Sequence, residues 1–129
     1  IAKWYTKKNK LMVVEQGYHG HTQIGIEISD YKFNNSKGIG QQEHILKIPL
    51  PDYKNKIKSV DQIIHGFDNQ LNNNRNNVAL FISETILGCA GQVPLPKNSS
   101  FPCFRSALGS ASFAPAIVVF LAPALERKT

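Results

Sequence analysis

Two short runs of uninterrupted apolar character, Lys10-Leu-Met-Val-Val14 and Val78-Ala-Leu-Phe-Ile82, constrain this chain more than any other feature. A strand with one face in water alternates apolar and polar side chains. A strand covered on both faces does not, and that situation arises chiefly in parallel sheets layered with helices. Between the runs, Val60, Ile63, Ile64, Phe67 and Leu71 recur in the three-and-four rhythm of an amphipathic helix that starts at Ser59 or Asp61. Strand, helix and strand in that order predict an α/β layer with a mainly parallel sheet and flanking helices.

The remaining segments fit around this frame. Residues 1–8 read as the last turns of a helix, and Thr22 is placed to cap a short helix running to Ile28, its hydroxyl accepting from a first-turn amide. Residues 30–40 are rich in Asn, Ser, Lys and Gly and read as a long loop. Residues 44–51 read as an extended segment, and the asparagine-rich stretch 69–77 is expected to end the amphipathic helix.

With 129 residues, there is room for one modest domain, or part of one. The first residues, Ile-Ala-Lys-Trp-Tyr-Thr-Lys-Lys, carry no charged-then-apolar targeting pattern and read as an internal starting point. The formal charge of +6 comes from lysines clustered in 3–10 and 47–58. No arginine-rich stripe with interleaved aromatics accompanies them, so the charge reads as a solvated face and not as a nucleic-acid footprint. Cys89 and Cys103 make no CxxC spacing, which points away from a disulfide framework or a zinc site and toward a reducing compartment. Residues 107–125 are uncharged and nearly long enough to cross a bilayer, but Pro115 and Pro123 argue against a membrane span.

In parallel sheets, ligands gather beyond the carboxyl ends of the strands. Here those ends lead into residues 15–20 and 83–91, so chemistry is expected in both segments. The first contains Tyr18-His19-Gly20-His21-Thr22. Three roles compete for it: a metal site using His19 and His21 with His44 or His65, an acid-base or nucleophile site at an imidazole, and an aromatic platform in which Tyr18 lies flat on a planar heteroaromatic ligand. No HExxH-like spacing supports the first, and no Ser or Cys is evidently paired for the second. The plain alternative to all three is that Tyr18 and His19 plug the sheet end.

Gly-Tyr-His-Gly-His-Thr after a strand resembles the motif of class-III aminotransferases in which an aromatic followed by His-Gly packs on pyridoxal phosphate. Glu84-Thr-Ile-Leu-Gly-Cys-Ala-Gly-Gln-Val-Pro-Leu-Pro96 resembles the same family's Glu-Pro-Ile-Gln-Gly-Glu segment, in the expected order and directly after a strand. The resemblance runs over residues 1–98, and within 24–52 it is closest to the branch of ethanolamine-phosphate phospho-lyases and alanine–glyoxylate aminotransferase-like proteins. It implies part of the large domain of a fold type I pyridoxal-phosphate enzyme. Cofactor-binding roles follow for Tyr18 (stacking on the pyridine ring), His19 (holding the turn), Gly20 (letting the backbone pass close) and Glu84 (a carboxylate behind the cofactor). Many members carry a second glutamate where this chain has Cys89, and a neutral residue there resembles the phospho-lyase branch.

The resemblance also implies what is missing. The Schiff-base lysine, the aspartate on the pyridine nitrogen and the Gly-Ser/Thr phosphate cup are not recognisable; the cup would lie before Ile1 and the others after Asn98. Lys32, Lys37, Lys47 and Lys97 read as loop or edge lysines with nothing to make them nucleophilic. The expectation is a fragment without transaminase or lyase turnover, from a cytoplasmic, homodimeric enzyme acting on an amine or amino acid, with no nucleic-acid or membrane partner. The competing expectation is a non-catalytic binding module using the Tyr18-His19-Gly20-His21 loop for a metal or an anion. Residues 99–129 leave the family pattern and read as the product of a frame change, a junction or a mistaken gene boundary, the alternative being a native but divergent core segment. Their apolar run 116–121 is expected to be exposed and prone to aggregate.

Overall fold

The computed structural model describes residues 1–50, 59–74, 76–84, 86–94 and 117–121. In chain order the elements are α1 (Ala2–Thr6), β1 (Lys10–Val14), α2 (Gln23–Glu27), α3 (Asp30–Phe33), β2 (Ile45–Ile48), α4 (Val60–Asn73), β3 (Val78–Glu84), β4 (Ile86–Leu87), β5 (Val93–Pro94) and β6 (Ile117–Leu121). The main sheet has the order β2-β1-β3-β6. β1 pairs in parallel with both β2 and β3, and β6 closes the far side antiparallel to β3. The result is an α/β fold with a mainly parallel sheet, as the two apolar runs require.

Alternation along β1 divides the core into two layers, because successive side chains of a strand point to opposite faces. Met12 and Val14 join Ile48, Ile63, Phe67, Val78, Phe81 and Leu87 on the face covered by α4. Leu11 and Val13 join Ile28, Phe33, Ile45, Ala79 and Ile82 on the opposite face, under the segment that carries α2 and α3. Phe67 and Phe81 meet edge to face with centroids 5.4 Å apart, so α4 is keyed to the sheet by an aromatic pair.

α4 begins with a full capping box. Ser59 Oγ accepts from Gln62 N at 3.2 Å, and Gln62 Oε1 accepts from Ser59 N at 2.8 Å. The helix continues to Asn73, five residues into the asparagine-rich stretch 69–77 that is expected to end it. Leu71 packs against the core on the α4 face, and that contact outweighs the weak helix propensity of the flanking asparagines.

One further expectation is corrected. The segment 30–40 is not loop throughout: Asp30–Phe33 forms one helical turn, with Asp30 in the first turn, where its charge suits the helix dipole, and Phe33 buried to 1% exposure. Of the apolar run 116–121, residues 117–121 form β6, with Leu80↔Leu121 through Glu84↔Ile117 in register along β3. The extended segment expected over 44–51 is β2 as far as Ile48, and its last residue lies outside the described ones. Among the described residues no helix is long and apolar enough to cross a membrane. Apart from β6, the stretch 107–125 lies outside the described residues, as do Cys103 and Lys97. Cys89 is free and exposed in the turn between β4 and β5.

Candidate functional site

The carboxyl ends of β1 and β3 are adjacent in the sheet, so the two segments singled out by sequence meet there. β1 ends at Val14 and the chain turns at once. Gln16 adopts φ 59°, Gly17 N donates back to Val14 O at 3.0 Å, and Gly20 sits at φ 105°. A Cβ at Gly17 would lie 3.0 Å from Val14 O and 3.2 Å from His19 Nε2, so the turn needs glycine for space. Gly20 is needed for its backbone angle, which L side chains rarely adopt.

Side chains from three other places hold this turn by its backbone amides. Gln16 N donates to Asp30 Oδ2 at 2.6 Å, Tyr18 N to Glu84 Oε1 at 2.9 Å, and His19 N to Ser29 Oγ at 2.7 Å. Each acceptor is anchored in turn. Ser29 Oγ donates to Gly25 O at 2.5 Å, within α2, and Lys47 Nζ on β2 meets Asp30 Oδ1 at 3.1 Å. Glu84 Oε2 accepts from Gly88 N at 3.1 Å, tying the second motif's turn to the first. Charged acceptors on backbone N–H groups are among the stronger hydrogen bonds, so the turn is pre-set by the fold.

The Tyr18 ring is surrounded but not sealed. Its hydroxyl hydrogen-bonds His21 Nδ1, with the His21 ring edge-on at 5.4 Å, and Tyr31 stands edge-on at 6.5 Å. Lys32 Nζ lies 5.7 Å from the Tyr18 centroid and equally far from that of Tyr31. Lys32, expected in a loop, is therefore on α3 at the mouth of the site. Lys47, also expected at a loop or edge, lies on β2 and is committed to Asp30.

Of the residues singled out, Tyr18, His19, Gly20 and Glu84 come together. Thr22 does cap α2, accepting from Gly25 N at 3.0 Å. His44 does not join the group: its Nε2 faces Glu27 Oε2 at 3.8 Å, and His65 lies on α4, across the sheet. Among the described residues no group of three or more His, Cys, Asp or Glu is arranged to hold a metal ion. Ser29 and Asp30 have no local signal as site residues, nor does Lys47 beyond its reading as a loop or edge lysine, because contacts such as Lys47 to Asp30 span 17 residues and follow no local spacing.

His19 is the one buried side chain here whose ring nitrogens, Nδ1 and Nε2, both lack a hydrogen-bond partner among the described residues. Burial pushes its pKa below the ordinary 6.5, and nearby Glu84 partly opposes that. The unfolded chain thus binds a proton more readily than the folded one, so stability rises with pH. The His19 contribution is complete above pH 6.5 and is lost as pH falls through the lowered folded value. Urea midpoints measured downward from pH 7 are expected to fall below about pH 6.5 with a slope that His19→Gln removes, bounded by about 1.4 kcal/mol per pH unit.

Comparison with known proteins bears on this arrangement. No protein-family model matches the chain. An ethanolamine-phosphate phospho-lyase homolog of Caenorhabditis elegans is 28% identical over 116 residues, covering 76% of this chain and 25% of that protein. An alanine–glyoxylate aminotransferase 2-like protein of Drosophila melanogaster is 30% identical over 123 residues, covering 86% of this chain and 25% of that protein. These relatives support a place for the matched residues in the class-III, pyridoxal-phosphate-dependent aminotransferase branch. The chain spans about a quarter of the length of these relatives.

Solved transaminases share the fold. One variant, described with SMBA, superposes with a TM-score of 0.60 at 21% identity over 76% of this chain and 26% of its own. Another, described with L-alanine, also gives 0.60, at 20% identity over 84% of this chain and 28% of its own. With its mainly parallel sheet and flanking helices, the chain fits the fold class expected for a partial fold type I large domain.

Proposed function

We propose that residues 1–98 form one wall of the cofactor cleft of a pyridoxal-phosphate-dependent enzyme, and that residues 99–129 lie outside that family segment. The observation that carries this reading is the hydrogen bond from Tyr18 N to Glu84 Oε1, which joins the two family motifs at the carboxyl ends of neighbouring parallel strands. Tyr18 would stack on the pyridine ring, Gly20 would let the backbone pass beside it and His19 would help hold the turn, while Glu84 fixes the Tyr18 backbone.

The residues present fit a planar heteroaromatic group on its aromatic side. The backbone of Tyr18 is fixed by Glu84, its hydroxyl is engaged by His21, and the unpartnered nitrogens of His19 lie within the same turn. Bound pyridoxal phosphate supplies an electron sink for bonds at the carbon bearing the substrate's amino group. The chain's own contribution is to orient and shelter that ring. A fixed stacking partner adds about 0.5–1.5 kcal/mol beyond burial.

In the whole protein the reaction is amino-group transfer to a 2-oxo acid or phospho-lyase chemistry on an amino-alcohol phosphate, in a cytoplasmic homodimer. The chain by itself has neither activity, because the lysine, aspartate and phosphate cup that complete the site are not recognisable in its sequence. Deoxypyridoxine phosphate lacks the aldehyde and so cannot attach to surface lysines, which makes it the suitable probe. Titration of the full chain is expected to give saturable binding that Tyr18→Ala weakens about tenfold and His65→Ala leaves unchanged. Equal binding by the Tyr18→Ala variant overturns the reading.

A further inference from the structure

We propose that Lys32 is a specificity-determining residue that receives the phosphate of a phosphate-monoester amine substrate at the rim of the Tyr18 wall, with His21 as a second donor. The inference rests on the reading of Tyr18 as part of the cofactor cleft, and it selects the phospho-lyase class of substrate over plain amino acids.

Lys32 is held at the site by aromatic faces and not by a counter-charge. Its ammonium sits 5.7 Å from both the Tyr18 and Tyr31 centroids. Among the described residues no carboxylate pairs with it, because Asp30, two positions away on α3, is committed to Lys47 and to Gln16 N. Glu27 faces His44, and both oxygens of Glu84 are taken by Tyr18 N and Gly88 N.

Magnitudes decide what such a lysine does when an anion arrives. Cation–π contact at an exposed site is worth about 0.5–1 kcal/mol, whereas a hydrogen bond to a charged group is worth roughly 1.5–3 kcal/mol. A phosphate oxygen therefore draws the ammonium off the rings at little cost. An ammonium is also a compact point charge suited to a phosphate, while planar carboxylates are matched better by the guanidinium fork.

His21 supplies the second donor. His21 Nδ1 is bonded to the Tyr18 hydroxyl, and in the tautomer in which that hydroxyl donates, Nε2 carries the proton and is free to donate to an arriving anion. Lys32 and His21 thus stand at one face and at the tip of the Tyr18 ring, beside the wall on which the proposed cofactor would lie.

The test is binding of O-phosphoethanolamine to the full chain, with and without saturating deoxypyridoxine phosphate, read from amide and ring NMR shifts. The expected result is shifts at Lys32, His21 and Tyr18, with affinity about tenfold lower in Lys32→Met, which keeps the apolar stem, and nearly restored in Lys32→Arg. Lys37→Met is unchanged, and ethanolamine and alanine cause no comparable shifts. Equal affinity in Lys32→Met, shifts confined to other surfaces, or alanine binding as tightly as the phosphate ester overturns the inference.

Two further arms separate the sources of phosphate. If inorganic phosphate binds as tightly as the ester, or if Lys32→Met weakens deoxypyridoxine phosphate itself about tenfold, the assignment to substrate is wrong. If the cofactor analogue requires Tyr18 while the phosphate ester ignores Lys32, this inference alone fails. If the analogue ignores Tyr18, the proposed function fails with it.

Discussion

Asp30→Ala is expected to lower the free energy of unfolding by about 2–4 kcal/mol, slightly less than the cost of breaking a fully buried ion pair. Asp30 is 2% exposed and does two jobs: Oδ2 accepts from Gln16 N at 2.6 Å and Oδ1 meets Lys47 Nζ at 3.1 Å. Truncation leaves an ammonium only 25% exposed without its partner and a turn amide without its acceptor. The partial exposure of Lys47 lets water take up some of the loss, which holds the effect below the fully buried limit. Asp30→Asn keeps an acceptor for Gln16 N and is expected to cost about half as much, and adding Lys47→Met to Asp30→Asn should recover part of it. Urea unfolding of the four proteins measures this; a loss below about 0.5 kcal/mol for Asp30→Ala would show that the pair does not hold the turn.

Glu84→Ala is expected to cost about 2–3 kcal/mol and to loosen the site specifically. The carboxylate accepts from Tyr18 N at 2.9 Å and Gly88 N at 3.1 Å, and hydrogen bonds to a charged group are worth roughly 1.5–3 kcal/mol each. The sum is discounted because Gly88 is exposed and its amide can turn to water. Glu84→Gln retains one acceptor oxygen and is expected to lose about half as much. Amide exchange gives the local readout: the Tyr18 amide should lose protection in Glu84→Ala beyond the global change, while core amides of β1 track global stability. Uniform loss of protection along β1 and the turn would mean that Glu84 contributes only to the fold.

The architecture was legible wherever burial imposes a sequence pattern. Continuous apolar runs at β1 and β3 and the amphipathic rhythm of Ile63, Phe67 and Leu71 on α4 follow from which faces are covered, and Thr22 and Ser59 are helix caps with a direct chemical signature. α3 was missed because a single helical turn has no period to detect; it depends on the burial of Phe33 in the layer opposite α4. The end of α4 was misjudged because asparagine composition is a local signal and the packing of Leu71 is not.

At the site, Tyr18 and Glu84 could each be placed at a strand end, since period-based reading locates those ends. Their direct bond could not be read, because it depends on β1 and β3 being neighbours in register. The Asn- and Gly-rich surroundings of Lys32 signal a loop; only the fold puts its ammonium over Tyr18.

The most direct measurement of the central claim is where deoxypyridoxine phosphate sits on the full chain, read from nuclear Overhauser contacts between the ligand's methyl protons and the protein. Contacts to the Tyr18 ring, with ring-current shifts of the ligand that vanish in Tyr18→Leu, are the expected result and place the cofactor on the turn held by Glu84. Contacts confined to other surfaces, or ligand shifts that persist in Tyr18→Leu, would contradict the assignment of residues 1–98 as a cofactor wall.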